Sequence, residues 1–202
     1  DRPALVIRGE NITVDLTGVE IDGADPAADP DTFTGTGVLV EGGGVTLKGG
    51  IIRGFKVGIL ARKSPRLHIT GADVSFNWKP RLLSGIEQED QSDWLSFHNN
   101  ERDQWLRYGA AIYLSESDDS EIDHTRAVQG MNGLMVTRSA RLRIWNNTFS
   151  WLSGVGLGLY RTTDSAIMHN RLDWCVRGHS HGFYNRGQDS AGLLMYEQSS
   201  RN

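Results

Sequence analysis

One line of sequence recurs along the chain, and it limits the fold more than any other feature. Gly133-Leu-Met-Val-Thr-Arg-Ser-Ala-Arg-Leu-Arg-Ile-Trp-Asn-Asn-Thr-Phe149 is followed by Gly156-Leu-Gly-Leu-Tyr-Arg-Thr-Thr-Asp-Ser-Ala-Ile-Met-His-Asn-Arg-Leu172. Further starts stand at Gly37, Gly58, Ala111 and Gly192. Where nothing is inserted, successive starts lie 21 to 23 residues apart. A unit this short cannot bury its own apolar side, so the units must stack and share one continuous core.

Each start leads into a second apolar segment centred on Leu47, Ile69, Ile122, Ile144 or Ile167, and then a third at Ile52, Val74, Ala127, Phe149 or Leu172. Within a segment the alternation has period two, as in Leu134 and Val136 against Met135 and Thr137, which is the signature of a strand with one side in a core. Helical spacing appears only around Trp94 to Trp105. Three short strands per turn over about six turns predict an all-β solenoid, a right-handed single-stranded parallel β-helix. An antiparallel sandwich would need hairpin signals between strands, and Asp22-Gly23 is the one clear case.

The pattern resembles the pectate-lyase and polygalacturonase superfamily, and more closely the broad group of right-handed β-helix repeat proteins. Asn11-Ile-Thr-Val-Asp-Leu-Thr-Gly-Val-Glu-Ile-Asp-Gly23 resembles the way such domains open. The resemblance is specific for fold and weak for activity. It implies an exported protein, secreted or periplasmic, acting on a polysaccharide in a groove along the first-strand sheet.

Composition sets the other bounds. The 202 residues suffice for one domain, read as 1–202, with insertions at 77–108 and 175–191. The last turn lacks a capping element, which solenoid ends need, so a longer β-helix is expected. A net charge of −4 without a basic cluster argues against nucleic acid as a partner. No run of some eighteen apolar residues is present, which argues against a membrane-spanning helix. The lone Cys175 follows Trp174 near a strand end and reads as a small core residue.

Both insertions interrupt the same corner, after the third strand and before the next first strand, so they line one side of a groove. Outward positions of the first strands place Tyr113, Met135, Gly158 and Leu194 in one column, and Ser115, Thr137, Tyr160 and Tyr196 in the next. Glu116, Arg138, Arg161 and Glu197 run beside them. Rings and charges at a strand spacing of about 4.8 Å suit an extended saccharide. A ladder of surface ion pairs is the equal alternative.

The second insertion is the densest in chemistry: His179, His181, Tyr184, Arg186 and Asp189, just before Tyr196 and Glu197. For hydrolysis, Glu197 and Asp189 form the carboxylate pair. For elimination, His181 or Tyr184 takes the proton and Arg186 or Arg161 neutralises a uronate carboxylate. Tyr113, Tyr160, Tyr196, Glu116 and Arg138 complete the expected binding set. Polygalacturonases carry Asp-Asp and Gly-His-Gly; Asp118-Asp119 and Gly178-His-Ser-His-Gly182 differ from these in spacing and place. No cofactor is demanded. Ca²⁺ at Asp22, Asp25, Asp29 and Asp31 is the metal option, although Pro and Ala there also fit a surface loop. The competing class is a glycan-binding or surface scaffold without catalysis. Asn147 and Asn170, with Thr125 in register, resemble the internal Asn ladder of β-helices.

Overall fold

The computed structural model describes residues 2–81, 83, 90, 99–176 and 190–202. The chain winds as a right-handed parallel β-helix, and every strand pair is parallel. The first sheet stacks β1 (Leu5–Arg8), β4 (Thr36–Glu41), β7 (Val57–Arg62), β9 (Ala110–Ser115), β12 (Leu134–Thr137), β15 (Val155–Tyr160) and β17 (Ala191–Tyr196) in that order. The second sheet stacks β2 (Thr13–Asp15), β5 (Thr46–Lys48), β8 (His68–Thr70), β10 (Glu121–Asp123), β13 (Arg143–Trp145) and β16 (Ala166–Met168). The third side is held by β3 (Glu20–Asp22) against β6 (Ile51–Arg53) and by β11 (Arg126–Val128) against β14 (Thr148–Ser150), with single bridges at Asp73 and Arg171.

The repeat extends one strand further than its Gly starts indicate. β1 lacks the glycine, yet Leu5 pairs with Val38 and Ile7 with Val40. The glycine marks close approach between turns: a Cβ on Gly133 would lie 2.4 Å from the Gly156 carbonyl oxygen, and one on Gly156 would lie 2.6 Å from that of Gly192.

Inward residues stack in register: Val38, Ile59, Ile112, Leu134 and Leu157 on the first sheet, Leu47, Ile69, Ile122 and Ile144 on the second, all fully buried. Each contributes roughly 1.5–3 kcal/mol. The Asn column holds the corner after the second sheet. Asn147 Nδ2 donates to the Ile122 carbonyl at 2.8 Å, its Oδ1 accepts from Thr125 N–H at 3.0 Å, and Asn170 Nδ2 donates to the Ile144 carbonyl at 2.8 Å.

Each corner places one residue per turn in the left-handed region, and these residues also form columns. One column runs Asn11, Gly44, Arg66, Asp119, Arg141, Asp164 and Arg201; another runs Lys63, Glu116, Arg138, Arg161 and Glu197. Non-glycine residues incur roughly 1–2 kcal/mol in this conformation. Amide bonds between turns help offset it, such as Arg66 N–H to Asp118 O at 2.8 Å and Arg141 N–H to Thr163 O at 3.0 Å. Asp118 and Asp119 are thereby part of an ion-paired corner, both held by the Arg141 guanidinium.

Candidate metal centre

The first-sheet face, where sequence reasoning places the groove floor, is covered. Residues 100–108 lie over the outward side chains, and Gln104–Tyr108 forms a short 3-10 helix. Trp105, Tyr108, Tyr113, Met131, Met135 and Tyr160 make a second apolar cluster outside the coil. Tyr113 is fully buried and Tyr160 is 1 % exposed, so neither ring presents a face to an extended chain of sugars. The physical reason is that this outward column is itself apolar and the insertion brings rings to cover it.

Polar groups beneath this cover are matched. The Tyr113 hydroxyl donates to Asp103 at 3.0 Å and accepts from Asn100 Nδ2 at 3.0 Å. Burial pushes the Tyr113 phenol above its ordinary range, and burial does the same to Tyr160, whose hydroxyl donates to Glu101 at 3.0 Å. Arg138 donates to Asp103 at 2.6 Å, the Ser115 hydroxyl at 2.7 Å and the Asn100 carbonyl at 2.8 Å, and lies 3.9 Å from Glu116. Arg161 pairs with Glu101 at 2.6 Å. Tyr196 packs at the edge of the outer cluster, and Glu197 is exposed at its corner. His179, His181, Tyr184, Arg186 and Asp189 lie outside the described residues. The expected carboxylate pair therefore has one described member, Glu197.

The acidic loop does not gather into a calcium cage. Asp22 pairs with Arg53, Asp29 and Asp31 with Arg81, and Asp25 accepts from Ala27 N–H at 2.8 Å. Cys175 is buried, its thiol pushed up to about 11 by desolvation, as a core residue requires.

A different constellation stands on the outer face of the second sheet. Parallel register sets Glu121 beside His68 and Asp123 beside Thr70, flanking the inward Ile69 and Ile122. Ligand atoms of His68, Glu121 and Asp123 all lie within 4.8 Å of one another, the one such group among the described residues. The Asp123 side chain is 5 % exposed, between two rings that meet solvent, His68 at 38 % and His124 at 55 %.

Asp123 is fixed from three directions. Its Oδ2 faces His68 Nε2 at 2.5 Å; its Oδ1 faces His124 Nδ1 at 2.6 Å and accepts from the Thr70 hydroxyl at 2.7 Å. Burial alone would raise its pKa, but the bonds from His124, Thr70 and His68 outweigh it and hold the carboxyl below its ordinary value. An ionised Asp123 only accepts, so each ring nitrogen facing it carries the proton. Glu121 is oriented in turn by Trp145, whose indole N–H donates at 2.6 Å, with Arg143 at 3.5 Å. His124 stacks edge-on to Trp145 at 5.0 Å.

One imidazole and two carboxylates, each held by neighbours, match how protein metal ligands are positioned. The set suits divalent cations that accept nitrogen and oxygen. The signal in the sequence was the pair of positions flanking the second segment, His68-Ile-Thr70 and Glu121-Ile-Asp123, which become columns only once the turns are aligned across the insertion.

Fold and face together define a right-handed parallel β-helix protein bearing a cluster of metal donors on one open sheet. The chain belongs to the NosD family, described as periplasmic copper-binding protein, whose family model matches residues 7–201. It is thus a periplasmic protein; none of its described helices is long and apolar enough to cross a membrane. Comparison with curated proteins and with solved structures gives no match. The expectation of no cofactor is corrected to this extent: the family is one described by its copper. The match extends the β-helix resemblance and carries no sign of saccharide cleavage.

Proposed function

We propose that this chain binds divalent copper in the periplasm through His68, Glu121 and Asp123 on the outer face of the second sheet. The observation that carries this is the convergence of three ligand atoms within 4.8 Å, with both carboxylates oriented by neighbours. Among divalent first-row ions, copper gains most from nitrogen and oxygen donors. Cuprous copper favours sulfur, and none of the three converging donors is sulfur.

The residues divide the work. His68 would hold the ion through a ring nitrogen that carries no proton; with Nε2 as the ligand, its proton passes to Nδ1. Asp123 and Glu121 supply oxygen and two negative charges. His124 and Thr70 keep Asp123 aimed outward, and Trp145 does the same for Glu121. Acid, which protonates imidazole and carboxylate donors, would oppose loading.

Titration of metal-free protein with Cu(II), followed by the visible ligand-field band and by electron paramagnetic resonance, tests this. One equivalent binds, with nitrogen coupling in the spectrum. His68→Ala and Asp123→Asn each weaken binding by about a hundredfold, while His124→Gln weakens it by about tenfold, as a positioning neighbour does. Undiminished affinity in both His68→Ala and Asp123→Asn would reject the site.

Cleavage of a polysaccharide is the second reading, and we rank it below the first. It rests on Glu197 and Arg161 at the corner after the first sheet together with residues 179–189, and the covered face of Tyr113 and Tyr160 no longer supports it.

A further inference from the structure

At the corner after the third strand, the left-handed column reads Gly54, Phe76, Gln129, Trp151 and Trp174, with φ between 56° and 78°. The other corners fill this position with glycine or with Asn, Asp, Arg, Lys, Glu, Gln or His, residues that gain from water or tolerate the conformation. Here three aromatic residues occupy it while 49 %, 56 % and 61 % exposed. Exposed rings in a disfavoured backbone conformation contribute little to the coil, and such outliers cluster at binding sites.

Phe76 and Trp151 border a cleft of about 690 Å³, within the range of small-ligand pockets. Phe33, Phe76 and Trp151 supply its aromatic lining, beside Pro26 and Pro30 of the loop that also carries Phe33. That loop is fastened to the insertion's first residues: the Trp78 indole N–H donates to the Asp31 carbonyl at 3.0 Å, Lys79 N–H to the Pro30 carbonyl at 3.3 Å, and Arg81 pairs with Asp29. The wall is thus set before any ligand arrives. Trp174 stacks on Trp151 with centroids 5.3 Å apart and planes 14° apart, and it does not line the cleft; it braces Trp151 from behind.

The polar lining mixes signs and roles. Gln129 offers a donor and an acceptor, Asp25 an acceptor and Lys79 a donor, while Arg53 is already matched by Glu20 and Asp22. An anion would meet Asp25 here and a cation Lys79, a like charge in either case; a neutral ligand rich in hydroxyls uses every group. Apolar C–H faces of a sugar ring lie well on Trp151 and Phe76, with hydroxyls reaching Gln129, Asp25 and Lys79. We propose that this cleft binds a neutral saccharide of one or two rings, independently of the metal centre.

Calorimetry and saturation-transfer nuclear magnetic resonance with cellobiose, maltose and di-N-acetylchitobiose test the proposal on the full chain. At least one sugar binds saturably, with contacts to indole protons. Trp151→Asn keeps a residue that accepts the left-handed corner and weakens binding by about tenfold or more, while leaving the circular dichroism spectrum and Cu(II) affinity unchanged. Trp145→Phe, on the other side of the coil, leaves sugar binding as it was. If none of the three sugars binds, or if binding is the same in Trp151→Asn, the proposal is wrong.

Discussion

The first and second sheets present outer faces of the same repeating geometry, yet one is roofed and the other open. On the first, Tyr113, Met135 and Tyr160 lie beneath Trp105 and Tyr108. On the second, His68, Glu121 and Trp145 are half-buried and His124 is exposed. What decides the outcome is the character of the outward column. An apolar column draws a covering segment and becomes core, whereas a column of His, Glu and Thr stays partly in water, with Asp123 enclosed only by the His and Thr side chains that bond it.

Removing the roof is the hardest test of this contrast. Trp105→Ala should lower stability by about 3–5 kcal/mol in urea unfolding, while Trp145→Ala on the open face should cost less than about 1 kcal/mol. Equal costs would erase the distinction. Next in size is ligand linkage: Cu(II) at a hundred times its Kd should stabilise the native chain by about 2.7 kcal/mol, a gain that EDTA removes and that falls to about 0.4 kcal/mol in Asp123→Asn at the same concentration. Arg138→Ala should cost about 1–3 kcal/mol, because Asp103 keeps its place under the cover without its main cation. Arg143→Ala on the open sheet should stay within about 0.5 kcal/mol.

The smallest effect concerns alkali. Tyr113 and Tyr160 have folded pKa values raised above the unfolded phenol, so the folded chain holds their protons longer. Their stabilisation is fully present below about pH 10 and is lost as pH rises through the folded values. Equilibrium unfolding should therefore show stability falling above about pH 10, and Tyr113→Phe should flatten that fall. A slope that does not change would mean the phenol is not enclosed.

Much of the coil was legible because period-two alternation and a fixed repeat are local properties. Ile122, Ile144 and Asn147 fall in their expected places for that reason. β1 escaped because Ala4-Leu5-Val6-Ile7 has the alternation without the glycine. Alternation also separates the inside of a strand from its outside, but it does not tell whether the outside meets water. The apolar run of Tyr113, Met135 and Leu194 was the available sign that something must cover it. The metal donors were harder to see. His68 and Asp123 are separated by an insertion, and only the pairing of β8 with β10 makes them neighbours.

The corner column of Arg66, Asp119, Arg141, Asp164 and Arg201 alternates in sign from turn to turn. Each pair is exposed and worth little by itself. The alternation nonetheless encodes which turn may follow which. A coil whose turns are nearly interchangeable in their apolar interiors could slip by one repeat during folding, and such a slip would set Arg against Arg or Asp against Asp at the junction where a turn is skipped. The column thus carries register information that the core lacks, marking odd turns from even ones by sign.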